Sequence, residues 1–224
     1  MRTLLVVCLL LASVIAGRAA EPESVLAARA QAALQAKDWP KAEGLYRELA
    51  TLAPANWTYP QGLADALGMQ GKYADAIAAY DKALGPVLAA SDEKSRWAAG
   101  AMLTAQGNFY LKLKKPAEAM AAYTKAAARA QNPAVAWFNL CAVAYNIGDI
   151  PAAVSACDKA VAADPNKADA WFIKGSLMVA DSKAGPNGKM IPPKGTVEAL
   201  KKYLALAPNG SHVKDVQEML AVLK

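Results

Sequence analysis

The chain has 224 residues, of which 55% are hydrophobic and 20% charged, and its formal net charge is +6. This balance excludes an intrinsically disordered chain and allows one domain, or one continuous array, with a substantial core. The 25 Lys and Arg residues are scattered among 19 Asp and Glu residues and nowhere form a run of five. A nucleic-acid partner is therefore not expected, because no basic stripe is available to follow phosphates.

Residues 1–20 have the features of a secretory signal peptide. Arg2 provides a positive start, residues 4–15 form an almost unbroken apolar run, and small residues follow; this order is typical of a cleaved export signal. A membrane-spanning helix needs about 20 apolar residues, which is more than this run provides. We expect cleavage near Ala19 or Ala20 and a periplasmic or secreted protein, with a retained membrane anchor as the alternative.

The rest of the chain is rich in Ala, the strongest helix former, and repeats a two-helix pattern every 34 residues. The clearest copy runs from Trp137 to Pro165. It has a Trp, a Leu, a small residue and an aromatic residue in its first helix, a Gly in the connection, an Ala in the second helix and a Pro after it. Equivalent small and aromatic residues precede and follow it, at Trp39, Ala42, Tyr46, Ala64, Ala76, Tyr80, Gly107, Ala119, Tyr123, Trp171 and Gly175.

This pattern resembles the tetratricopeptide repeat over roughly residues 23–208. The resemblance implies an all-α protein, a right-handed α-solenoid of about five helix pairs. We assign residues 21–210 to this array, with insertions near 85–99 and 181–195. The small residues are expected to allow close approach of paired helices, and the tyrosines to fill the space between successive pairs.

Residues 211–224 are predicted to form a helix that covers the last repeat. Ser211 is a suitable N-cap, and Val213, Val216 and Leu220 give the segment an apolar stripe;. His212, the only histidine of the chain, falls in the first turn of this helix, where we expect it to be exposed to solvent.

Two cysteines remain once the signal peptide is removed, Cys141 and Cys157. They fall on the two antiparallel helices of one repeat at about the same level. An even number of cysteines in an oxidising compartment favours pairing, so we predict a disulfide. The alternative is two buried thiols that act as small packing residues.

In the family that the sequence resembles, ligands bind on the concave surface formed by the first helices. The resemblance implies a groove lined by Gln31, Gln61, Asp65, Met69, Asn108, Lys112, Phe138, Tyr145, Asn146, Phe172 and Ser176. Amide side chains can bond a peptide main chain, and Phe and Met provide adaptable apolar contact. The two phenylalanines have an alternative role, which is to pack between repeats.

The residues by which chaperone-binding members of this family clamp a terminal carboxylate are not reproduced. Ala27, Gln61, Thr104 and Phe138 stand where the first Lys of that clamp would fall. A heat-shock-chaperone adaptor is therefore disfavoured.

The insertion at 181–195 is the segment least like a repeat. Asn187 and Gly188 indicate a tight turn, and residues 189–191 are expected to form a short extended arm that ends at a Pro pair;. We place this arm at the edge of the groove, near Trp171 and Phe172, with a passive loop as the alternative.

The function predicted from these features is a scaffold or adaptor of the cell envelope that binds a protein or peptide, with a glycan as the remaining ligand class. The alternative is a structural subunit that associates with itself. The sequence contains no Gly-rich phosphate loop and no His dyad, so we predict neither an enzyme nor a cofactor or metal site.

Overall fold

The computed structural model describes residues 21–185 and 190–223. The signal peptide predicted at 1–20 and the tight turn predicted at 187–188 lie outside the described residues.

Eleven helices and one short antiparallel hairpin occur in the described part of the chain. They are α1 (Glu23–Gln35), α2 (Trp39–Leu52), α3 (Thr58–Met69), α4 (Tyr73–Ala89), α5 (Glu93–Lys112), α6 (Pro116–Ala127), α7 (Ala134–Ile147), α8 (Ile150–Ala163), α9 (Ala168–Ala180), β1 (Lys183–Ala184), β2 (Met190–Ile191), α10 (Thr196–Leu206) and α11 (Val213–Val222). None of these helices is long and apolar enough to cross a membrane.

Ten of the helices form five antiparallel pairs, and successive pairs stack on one another. The odd-numbered helices α1 to α9 are the first helices and the even-numbered helices α2 to α10 are the second helices. Each helix packs mainly against the helices before and after it in the chain, as a solenoid requires. The predicted α-solenoid of about five helix pairs is confirmed, and α11 packs against α9 and α10 at its end.

The close-approach positions are buried in every pair, both at the predicted residues and at the two equivalents that were not predicted, Ala30 and Ala199. In the first helices they are Ala30, Ala64, Gly107, Cys141 and Gly175, and in the second helices they are Ala42, Ala76, Ala119, Ala153 and Ala199. A Cβ atom on Gly107 would lie 2.5 Å from Cε1 of Tyr123, and one on Gly175 would lie 2.6 Å from Cδ2 of Leu200. Because real Cβ atoms do not approach that closely, any side chain at these two positions would require the facing residue to shift;.

Short turns with one left-handed residue connect the helices within the first four pairs. Gly71 and Gly148 adopt φ values of 77° and 78° between their helices, and Lys37 and Lys114 take the same role at 59° and 58°. Side chains of Asp38, Asp92 and Asp149 accept hydrogen bonds from the first turns of α2, α5 and α8, which satisfies backbone N–H groups that have no partner inside the helix.

The insertion near 85–99 is helical and does not form a loop. Helices α4 and α5 have 17 and 20 residues, and only residues 90–92 separate them. Pro86 lies inside α4, four residues before its C-cap. The extra residues thus lengthen one second helix and the following first helix, and the stack continues through them.

The second insertion contains the β1–β2 hairpin, in which Lys183 pairs with Ile191 and Ala184 with Met190. The extended conformation predicted for Met190 and Ile191 is therefore present. The predicted position of the arm beside Trp171 and Phe172 stays a prediction.

The capping helix begins one residue later than predicted. His212, and not Ser211, is the N-cap of α11, and no side chain caps this end. His212 is partly exposed, as 38% of its side chain is accessible, but its ring stacks on Phe172 with centroids 3.9 Å apart and its backbone N–H donates to the Tyr203 hydroxyl at 3.0 Å. These contacts attach the start of α11 to the fifth pair.

The predicted disulfide joins Cys141 of α7 to Cys157 of α8, with a Cα–Cα distance of 5.0 Å. Both cysteines are fully buried. The bridge links the two helices of the fourth pair. Its two cysteines occupy the positions that Gly107 and Tyr123 occupy in the third pair, where these residues are in contact.

Replacing Ala153 by Leu should overpack the fourth pair and lower the free energy of unfolding by about 1–3 kcal/mol, because no space surrounds this residue;. Val154→Leu is the matched control, since Val154 is 41% exposed on the same helix. The stability of both variants is measured by urea unfolding, with circular dichroism as the signal. Equal stability of the two variants would contradict the packing described here.

The double variant Cys141→Ala/Cys157→Ala should lose about 3 kcal/mol of stability, the loop-closure entropy of a loop of roughly 15 residues. Alanine fits the first position because Ala30 and Ala64 occupy its equivalents. Unfolding with and without a thiol reductant provides the check. The parent protein should become as unstable as the variant in reductant, and the variant should not respond.

Candidate functional site

Three tyrosines of the second helices place their hydroxyl groups at the surface formed by the first helices. Each hydroxyl donates to a side-chain oxygen 15 residues earlier in the chain. The pairs are Tyr46 with Gln31 at 3.2 Å, Tyr80 with Asp65, and Tyr123 with Asn108 at 2.7 Å. All three acceptors belong to the predicted groove lining. In each of these three pairs, therefore, a tyrosine of the core positions one groove side chain.

The fourth and fifth pairs depart from this rule. Ala142 and Cys157 occupy the two positions in the fourth pair, where the disulfide replaces the tyrosine hydrogen bond. In the fifth pair the Tyr203 hydroxyl accepts from the His212 backbone N–H. The repeated hydrogen bond therefore belongs to the first three pairs.

A cleft of about 390 Å³ lies between α1 and α3, which are the first helices of the first and second pairs. Tyr46 of α2 also lines it. Ligand clefts usually have about 300–1,000 Å³. The cleft brings together three predicted residues and adds others, and it is lined by Ala27, Gln31, Leu34, Tyr46, Thr58, Tyr59, Gln61, Gly62 and Asp65.

The close approach of Gly62 to Tyr46 shapes this cleft. A Cβ atom on Gly62 would lie 2.4 Å from Cε1 of the Tyr46 ring. Only Gly lets the ring lie flat against α3 and direct its hydroxyl to Gln31. Also on α3, the Tyr59 hydroxyl donates to Oε1 of Glu23 in α1 at 2.6 Å, so a second carboxylate lies at the cleft margin.

Two carboxyl groups in this region have opposite pKa shifts. Burial raises the pKa of Asp65, although the hydrogen bond from Tyr80 acts in the other direction. Hydrogen bonds from Lys72 and Arg47 lower the pKa of Glu43 to about 2. The difference follows from the neighbours, because Glu43 forms ion pairs with both cations at 2.7 and 2.9 Å, whereas no ion pair of Asp65 occurs within the described residues.

The other predicted residues divide into an exposed middle section and a covered end. Met69, Asn108, Lys112, Tyr145 and Asn146 are exposed. Phe138 is half-buried, and Nζ of Lys167 lies 4.6 Å from the centre of its ring. These six residues are accessible for groove contacts, and their role in binding stays a prediction.

The predicted contribution of Ser176 to the groove is wrong. Its side chain is 8% exposed, and its hydroxyl donates to the Phe172 carbonyl oxygen beside Met219 of α11. Phe172 itself is stacked between repeat and cap, against His212 and Tyr203. The capping helix therefore covers the groove at the fifth pair.

Sequence reasoning placed the tyrosines in the core and missed their hydroxyl groups as part of the groove. The constant spacing of 15 residues between a polar side chain in one helix and Tyr in the next was the available signal. Tyr59 and Thr58 gave no such signal, because their equivalents in other repeats differ.

No group of three or more His, Cys, Asp or Glu side chains in the described ranges is arranged to hold a metal ion. The chemistry available in the cleft is hydrogen bonding by amides, phenols and carboxylates.

The tetratricopeptide-repeat family model matches residues 27–95 and 104–168, which is more than half of the chain. The chain belongs to the tetratricopeptide-repeat family. Members of this family commonly bind proteins or peptides, and the fold is generally a non-enzymatic scaffold. No protein with a curated description matches this sequence.

Solved structures with a similar fold include YrrB, described as a TPR protein with an unusual peptide-binding site, at 19% identity and a TM-score of 0.63 over 84% of this chain and 88% of YrrB. MamA is 18% identical, with a TM-score of 0.65 over 86% of this chain and 94% of MamA. PilW, a type IV pilus biogenesis factor, is 16% identical with a TM-score of 0.59 over 91% and 88% of the two chains. At these identities the likeness concerns the fold alone.

The raised pKa of Asp65 predicts that Asp65→Asn stabilises the free protein at pH 7. The folded-state pKa lies above the ordinary 3.8, so the fold loses stability as the pH rises through that range and the carboxyl ionises. Asn keeps the oxygen that Tyr80 needs. The gain in free energy of unfolding should disappear below about pH 3.8, as measured by urea unfolding across the acid range.

Glu43→Gln should lower the free energy of unfolding at pH 7, which is the opposite of the effect expected for Asp65→Asn. Its pKa is lowered from 4.5 to about 2, so its contribution is complete above pH 4.5 and is lost as the pH falls towards 2. Because both partner cations are largely exposed, we expect a loss of only about 1 kcal/mol at pH 7. The interpretation fails if the two variants change stability in the same direction at neutral pH.

Proposed function

We propose that this protein is a scaffold or adaptor of the cell envelope that binds a peptide or protein segment in the groove of its first helices. The observation that carries the proposal is the row of groove side chains that core tyrosines hold in place. Such pre-positioned amide and carboxylate oxygens bind a partner with little loss of side-chain entropy, and they can pair with the N–H groups of an extended peptide.

Two features support a location in the envelope. The first is the segment 1–20, with its positive start, apolar run and small residues;. The second is the buried disulfide between Cys141 and Cys157, since stable disulfides are typical of oxidising compartments. Export can be tested directly by fractionating cells that express the full chain and by determining the mature N terminus with mass spectrometry.

A photocrosslinking amino acid introduced at single positions tests binding in the groove. Met69, 61% exposed on α3, and Asn146 on α7 are the groove positions. Leu52 and Val154 are matched controls, because they are similarly exposed on second helices. With envelope extract, the two groove positions should yield crosslinked products that the controls do not, and an excess of unlabelled protein should compete for them.

Equal crosslinking at all four positions would contradict a groove-specific function. Sedimentation over a range of protein concentrations addresses self-association, the alternative function. A monomer at all concentrations agrees with an adaptor, whereas a concentration-dependent complex whose crosslinks join two copies of this chain would replace the adaptor with a structural subunit.

A further inference from the structure

The negative charge of Asp65 has no function in the fold. Asp65 accepts the Tyr80 hydroxyl in the second pair, but Gln31 and Asn108 accept the equivalent tyrosine hydroxyls in the first and third pairs. Neutral amides are therefore sufficient for this hydrogen bond. Asp65 alone among the three acceptors carries a charge.

The surroundings of Asp65 make that charge unfavourable in the free protein. The carboxylate is partly buried, and no Lys or Arg of the described residues lies within ion-pair distance of it. The charge of Glu43, on the neighbouring α2, is by contrast compensated by ion pairs with Lys72 and Arg47. A partly buried carboxylate without a cation is stabilised by any positive group that enters the cleft.

The other walls of the cleft also suit a cation. None of the nine lining residues is basic. Tyr46 and Tyr59 also line the cleft, although only 6% and 8% of these residues is exposed. Gln31 and Gln61 provide amide oxygens as additional acceptors. Glu23, bonded to Tyr59, adds a second negative charge at the margin.

We propose that the cleft between α1 and α3 binds a positively charged group of a peptide, with Asp65 as its counter-ion and the Tyr46 and Tyr59 rings beside it. The group is the ammonium or guanidinium of a Lys or Arg side chain, or the ammonium of a peptide N terminus. This inference rests on the proposed function, since it names the chemistry that the groove selects. The charge of this cleft is opposite to that of a carboxylate clamp.

The chain itself indicates the variant for the test. Asp65→Asn removes the charge but keeps an acceptor for Tyr80, and Asn108 shows that this fold accommodates Asn in the same bond. Asp75→Asn is the matched control, because Asp75 is exposed on α4 and lines no part of this cleft. Thermal unfolding verifies that both variants are folded.

The experiment begins with selection from an mRNA-displayed library of random heptapeptides on the full-length protein and on each variant. We expect the parent protein and Asp75→Asn to enrich peptides with Lys or Arg at one fixed position, and Asp65→Asn to lose this preference. The selected peptides are then synthesised with free and acetylated N termini, and with norleucine in place of the basic residue.

Norleucine should weaken binding to the parent protein by about tenfold or more, the usual effect of losing a charge-assisted hydrogen bond, and should change binding to Asp65→Asn far less. If acetylation, and not norleucine, causes that loss, the bound cation is the peptide N terminus. Either result supports the cation site and identifies its source.

Peptides whose binding to the parent protein is weakened neither by norleucine nor by acetylation, or is weakened equally in the parent protein and Asp65→Asn, would overturn the cation site and leave the peptide-binding function intact. A folded parent protein that enriches no peptide at all would overturn both proposals.

Discussion

The close approach of the two helices in each pair is the constraint on which the rest of this structure depends. Ala30, Ala64, Gly107, Cys141 and Gly175 are the points of contact in the five first helices. At Gly107 the Tyr123 ring lies where a Cβ atom would stand. Since one larger side chain would separate the helices, the stacking of all later pairs depends on these small residues.

This packing also determines the binding surface. A tyrosine ring that is fixed between two helices can direct its hydroxyl to one place only, and in three pairs that place is a groove side chain. In the fourth pair a covalent bond between Cys141 and Cys157 substitutes for the tyrosine contact, so the position that holds a groove side chain in the first three pairs joins the two helices there.

The two ends of the groove differ in chemistry because the fold closes only one of them. At the C-terminal end, His212 and α11 cover Phe172 and Ser176. At the N-terminal end, the cleft between α1 and α3 stays accessible and contains a carboxylate without a cation. The proposed recognition of a charged ligand group lies at the first two pairs, with exposed polar and aromatic side chains extending from there along the groove.

The sequence by itself determined the helix pairs, their period and the buried alanines, because each depends on local spacing that repeats along the chain. It placed Cys141 and Cys157 at the same level of one pair, and the tertiary structure decided between a bridge and two buried thiols. The sequence did not determine which side chains stay accessible, since Ser176 and Phe172 are covered by a helix from elsewhere in the sequence. Only the tertiary structure decided the cleft and the pKa shift of Asp65, because both arise where side chains of α1, α2, α3 and α4 meet.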